Sequence, residues 1–131
     1  MIEDLSRTLE LVTAKTKLER DKGIRALTER LLTLSDDEVR ELETFFLQMQ
    51  TLVSESASLR GGSLEDGVPA PNGSWEKLLG VINGAAAVNR SGRGSVEFAE
   101  NLIEPAMEAL THAEVRVREG VGQLLGAITV R

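Results

Sequence analysis

The feature that most constrains this chain is a 3.6-residue apolar rhythm that returns in six separate segments, with no convincing period-two alternation among them. Ile2, Leu5, Leu9 and Val12 make the first stripe, and Ile24, Leu27, Leu31 and Leu34 the second. The third, Val39, Leu42, Phe45, Phe46, Met49, Leu52 and Val53, is the most clearly two-faced. Trp75, Leu78, Leu79, Ile82 and Ala86 form the fourth; Ala99, Leu102, Ile103, Ala106 and Leu110 the fifth; Val117, Val121, Leu124, Leu125 and Ile128 the sixth. Amphipathic helices must bury their stripes on one another. With 3% aromatic residues among 41% hydrophobic, the core they share is aliphatic and suited to close helix packing. A length of 131 residues predicts one all-α domain spanning 1–131.

Start signals mark the helix boundaries independently. Thr16 with Glu19, Ser35 with Glu38, and Thr111 with Glu114 each match the pattern in which a hydroxyl caps backbone N–H groups and a glutamate three residues on reaches back. Ser74 and Ser95 are simple N-cap candidates. The hinges near Lys15 and Thr111 are so short that their flanking helices must run antiparallel. Three hairpins result, at about 2–34, 36–88 and 95–130. The middle one is interrupted by residues 54–74, rich in Ser, Gly and Pro, which hold too little apolar surface to offset their ordering entropy and read as a flexible insertion. Residues 89–95, NRSGRGS, read as a tight glycine-rich loop.

Charge and composition exclude several functions. A net charge of −6 argues against a general grip on nucleic acid or an anionic membrane, both of which need concentrated Lys and Arg. The absence of cysteine removes disulfides, thiolate catalysis and cysteine metal sites. No apolar run is long enough to insert into a membrane, and Glu3 and Asp4 follow Met1 where a leader would be basic and then apolar, so the expected location is the cytoplasm or nucleus. The single histidine, His112, falls at a hinge without the spaced partners that catalysis or metal binding needs, and the carboxylates are scattered over helix starts and exposed faces. The expectation is therefore no enzyme, no catalytic residues, no metal and no cofactor. One segment suggests ligand chemistry: in the Arg90–Gly94 loop, Arg90 and Arg93 beside a helix start suit a phosphate or carboxylate. Trp75, at a helix start, reads as a core-closing side chain ahead of a partner anchor.

Two windows repeat in kind, residues 5–31 and 102–128. Each has an apolar first helix, a polar hinge with a threonine, an arginine early in the second helix, a small residue soon after and a closing leucine. Arg20 aligns with Arg118, Gly23 with Gly120 to Gly122, and Leu27 with Leu125; in the middle window, residues 75–88, Lys77 takes the arginine place and Gly80 the small one. Glycine costs about 1 kcal/mol in a helix interior relative to alanine. The pairs Gly80 with Gly84 and Gly122 with Gly126, each four apart, therefore predict two tight helix-to-helix seams.

These windows resemble the HEAT repeats of the armadillo-type α-solenoids. The likeness is best over residues 99–129, where LIEPAMEAL, with its proline, and VRVREGVGQLLGAI resemble the two helices of a HEAT unit. The sequence departs from that pattern at Lys77 and in lacking an aspartate before the arginine of the last helix. LERDKGI, residues 18–24, also resembles the N-terminal segment of ATM/Tel1-type kinases, although Thr16 stands where that motif has a basic residue. The HEAT resemblance implies a right-handed α-solenoid of about three hairpins and a non-catalytic scaffold, or the terminal module of a larger one, that binds a helix or extended peptide of a protein partner. Second helices line the partner-facing surface in that family, which points to Arg25, Glu29, Arg116, Glu119 and Gln123. It also makes Arg20 and Arg118 struts between repeats.

Overall fold

A computed structural model describes residues 2–53, 75–112 and 114–129, with side chains from Leu5 onward. These residues form six α-helices and no strand: α1 (Ile2–Val12), α2 (Lys17–Arg30), α3 (Asp36–Phe46), α4 (Trp75–Ser91), α5 (Val96–Ala109) and α6 (Val115–Thr129). The chain is all-α, as its rhythm requires. The insertion at 54–74 and the Ser74 cap lie outside the described residues.

Local chemistry sets most of the helix starts. Thr16 caps α2 by accepting from the Glu19 N–H, and Ser95 caps α5 by accepting from the Phe98 N–H. At α3 the capping box is complete: the Glu38 N–H donates to Ser35 Oγ, and the Ser35 N–H donates to Glu38 Oε1 at 3.0 Å. The box expected at Thr111 is not formed. Thr111 Oγ1 instead donates to the Glu108 carbonyl, and the Glu114 N–H donates to His112 Nδ1. The helix begins at Val115, three residues later than a Thr111 cap would start it, with the Glu114 carboxylate meeting both Nε and the N–H of Arg116. That leaves His112 a hinge residue whose ring takes the place of a capping hydroxyl.

The aligned arginines perform one task. Arg20 Nη1 donates to the carbonyl of Ala14, six residues back, and to that of Lys15; Arg118 Nη1 donates to the carbonyl of His112, also six residues back. Each ties a second helix to the hinge before it, satisfying carbonyls that the preceding helix end leaves open. These bonds are internal to a hairpin, whereas the contact of Arg20 with another hairpin is made through the Trp75 ring of α4.

At the centre lies α4. Eleven of its seventeen residues are buried, from Leu78 to Asn89, and it packs against α6 most extensively and also against α2, α3 and α1. A helix surrounded in this way is apolar or small nearly all round. Its one buried amide, Asn89, donates from Nδ2 to the Ala85 carbonyl. Glycines set the approach distances. A Cβ on Gly80 would collide with the Val12 carbonyl and lie 2.9 Å from its carbon, and one on Gly23 would lie 2.7 Å from the Leu11 carbonyl carbon. The end of α1 is thus clamped between α2 and α4. Gly84 sits under the Phe46 ring. The second predicted seam is absent: Gly122 and Gly126 are exposed, with nothing within 4 Å of an added Cβ.

Two further elements depart from the sequence reading. The third apolar stripe does not make one helix; α3 stops at Phe46, and Gln48 and Gln50 donate to carbonyls three residues back, tightening the chain before it turns helical again over residues 49–53. That turn places Gln50 beside α5, where its Nε2 donates to the Asn101 carbonyl at 3.2 Å. Pro105, inside α5, has no N–H to offer Asn101 four residues before it, so Gln50 replaces the hydrogen bond that proline removed. Residues 89–91, expected in a loop, complete the last turn of α4, and only 92–95 connect to α5, with Gly92 at a positive φ of 77°.

Candidate functional site

The second helix of each hairpin, α2, α4 and α6, contributes to one open groove of about 560 Å³. On α2, helical spacing aligns Asp21, Arg25 and Glu29 at intervals of four, with Ile24 and Thr28 on the adjoining row. Asn83 and Arg90 face the groove from α4, two turns apart, and Gln123 completes it from α6. The α2 wall is held locally: Thr28 Oγ1 donates to the Ile24 carbonyl at 2.8 Å, and Lys17 Nζ pairs with Asp21 at 2.9 Å. Arg25, Glu29, Asn83, Arg90 and Gln123 form no hydrogen bond or ion pair with another described residue. Asn83 is only half-buried, and its amide carries both donors and an acceptor. Charge alternates along the surface, with two carboxylates and two guanidiniums among neutral amides and one apolar side chain. Such a lining offers a ligand both signs of charge and neutral hydrogen-bonding groups.

Three of the five residues named for partner contact, Arg25, Glu29 and Gln123, lie together in this groove. Glu119 is exposed one turn before Gln123 and is not among the lining residues. Arg116 is occupied elsewhere: its guanidinium lies 3.9 Å from the centre of the Trp75 ring, and its Nε pairs with Glu114 at 2.7 Å. Arg20 reaches the same ring at 5.5 Å, so Trp75 is half-buried against the core with two cations over it. This stack links the first turns of α2, α4 and α6.

The two arginines expected to share an anion do not converge. Arg90 lines the groove from the last turn of α4. Arg93 donates to the carbonyls of Leu31 at 2.7 Å and Leu34 at 2.6 Å and meets Asp36 at 3.2 Å, which joins the α4–α5 connection to the turn before α3. Those carbonyls follow the end of α2 and lack helical partners, and a guanidinium fork satisfies both. Sequence reading missed Asn83, Asp21, Ile24 and Thr28. The i, i+4 spacing of Asp21 with Arg25 and of Ile24 with Thr28 was legible, whereas Asn83 lies within an apolar run that marks only the core.

No described helix is long and apolar enough to cross a membrane, and among the described residues no group of three His, Cys, Asp or Glu side chains is placed to hold a metal. The chain matches no protein-family model, no curated protein and no solved structure.

Proposed function

We propose that this chain is a non-catalytic protein-interaction scaffold, a HEAT-like right-handed solenoid of three hairpins or the terminal module of a longer one, working in the cytoplasm or nucleus. Its groove receives an extended peptide or a helix of a protein partner. The observation that carries the reading is the groove itself, to which α2, α4 and α6 each contribute polar side chains without partners among the described residues. The shared bond of Arg20 and Arg118 to a carbonyl six residues back supports treating the first and last hairpins as one repeated unit. Recognition proceeds by display: backbone N–H and C=O groups of a bound segment pair with Asn83 and Gln123, while Arg25, Glu29 and Arg90 select its charges.

The test is selection from a displayed library of random peptides, followed by titration of the winners against the wild-type chain and an Arg25→Ala, Asn83→Ala, Gln123→Ala variant with an unchanged helical melt. A common peptide pattern whose binding falls at least tenfold in the variant supports the groove. Equal binding by the variant sinks it.

A further inference from the structure

The outward face of α5 carries an uncovered heptad seam. Val96, Ile103 and Leu110 recur seven residues apart, and Glu100 and Met107 fall four residues after the first two of them, so the five make one stripe in the order d, a, d, a, d. Val96 is 65% exposed, Ile103 42%, Met107 55% and Leu110 38%, although Ile103 and Leu110 read from sequence as core. The buried face of the same helix, Phe98, Leu102, Pro105 and Ala109, points elsewhere and is already packed. Single exposed apolar residues are ordinary, whereas a stripe about 21 Å long at 1.5 Å per residue is shaped to a second helix.

Charge defines that helix. The four charged residues of α5 are all glutamates, Glu97, Glu100, Glu104 and Glu108. Glu100 occupies an a position within the seam, and Glu97 and Glu104 occupy e positions along one edge. None of these three is paired with a described residue. On the other edge Ala99 and Ala106 are buried against the protein, so electrostatic selection acts from one side only. A charged residue at one a position fixes register, because a mismatched partner buries it unpaired.

We propose that α5 is a docking site for a cationic amphipathic helix of another protein, paired with α5 as in a two-stranded coiled coil. That helix carries aliphatic residues at its seam positions, a lysine or arginine opposite Glu100, and basic residues along the edge facing Glu97 and Glu104. A second copy of this chain is the poorer fit. Its own α5 would bring glutamates against glutamates, and on α2 the residues of equal spacing, Leu18, Lys22, Arg25 and Glu29, would set Arg25 and Glu29 against Ile103 and Met107. This site is separate from the groove and does not depend on it.

The probe is a synthetic three-heptad peptide with leucine at a and d, one lysine at the a position meant for Glu100, and lysines along one edge. It is titrated by fluorescence anisotropy against the full chain. Expected are saturable binding, at least a tenfold loss in an Ile103→Ser, Met107→Ser variant, and a similar loss in Glu100→Lys that is recovered when the peptide's seam lysine is replaced by glutamate. All the substituted side chains are exposed, and the helical melt checks that each variant folds. The proposal is overturned by unchanged binding in the serine variant, by failure of the charge exchange to recover binding, or by sedimentation showing that the chain alone self-associates through this stripe.

Discussion

Gly80 with Gly84 and Gly122 with Gly126 are the same local device, two glycines one turn apart on a helix, and they meet opposite surroundings. The first pair admits the end of α1 and the Phe46 ring against α4, while the second faces open space on α6. Both give up helix propensity. Only α4 recovers it, because four other helices press on α4 whereas the exposed side of α6 has no neighbour among the described residues at Gly122 and Gly126. Identical spacing therefore does not imply identical packing; the neighbour that justifies a glycine comes from elsewhere in the chain.

Substitution is the direct way to break that comparison. Gly80→Ala drives a methyl into backbone atoms that cannot move aside, and should destabilise the chain by about 2–3 kcal/mol in urea unfolding. A cost below about 0.5 kcal/mol, the size of an ordinary surface change, would show that α1 and α4 are not in close contact. Next in size comes Gln50→Ala, which removes the exposed side-chain bond to the Asn101 carbonyl above Pro105, leaves that carbonyl to water, and should cost about 0.5–1 kcal/mol. In a Pro105→Ala background the helix regains its own N–H donor, so the same change should cost much less. A double-mutant cycle reads that difference.

The opposite sign is expected on α6. Gly122→Ala and Gly126→Ala should each raise stability by about 0.4–1 kcal/mol, since the methyl meets nothing and the unfolded chain loses freedom. Thermal melts of the single and double variants check this, and a loss of stability would mean that the face is covered. The smallest effect belongs to a device that needs no distant partner. The Ser35 N–H holds the Glu38 carboxyl below its usual value of 4.5, helped by the Ser35 hydroxyl. Because the folded value lies below the unfolded one, the contribution is present above pH 4.5 and fades as acid is added. The melting temperature of wild type should therefore fall slightly more between pH 6 and pH 3.5 than that of Glu38→Gln.

How far sequence reaches can be judged from individual side chains. The rhythm located Leu27, Leu42, Leu78, Val117, Val121 and Leu124 in the core, because a helical stripe of large aliphatic residues has few other stable destinations. It misassigned Ile103 and Leu110, which have the same chemistry and period and lie on the uncovered face of α5. Of the groove, Arg25, Glu29 and Gln123 were readable as polar residues on second helices. Asn83 was not, since nothing local separates a groove-facing amide from its apolar neighbours on α4. The contacts of Arg93 and Arg116 were not legible for a related reason: an arginine's reach exceeds several residues of sequence, and its partners, Leu31, Leu34 and Trp75, come from other parts of the chain.

By itself the sequence determined that this protein is helical, where most of its helices start, and which bonds tie Thr16 and Ser35 to residues nearby, because those choices are settled within about one turn of chain by period and capping. The tertiary structure alone decided which glycines are pressed by a neighbour, that Gln50 answers Pro105, that Arg90 and Arg93 part company, and that α5 keeps an apolar seam in solvent. Those outcomes depend on contacts between segments tens of residues apart, whose energies reside in the approach of two surfaces and in neither surface alone.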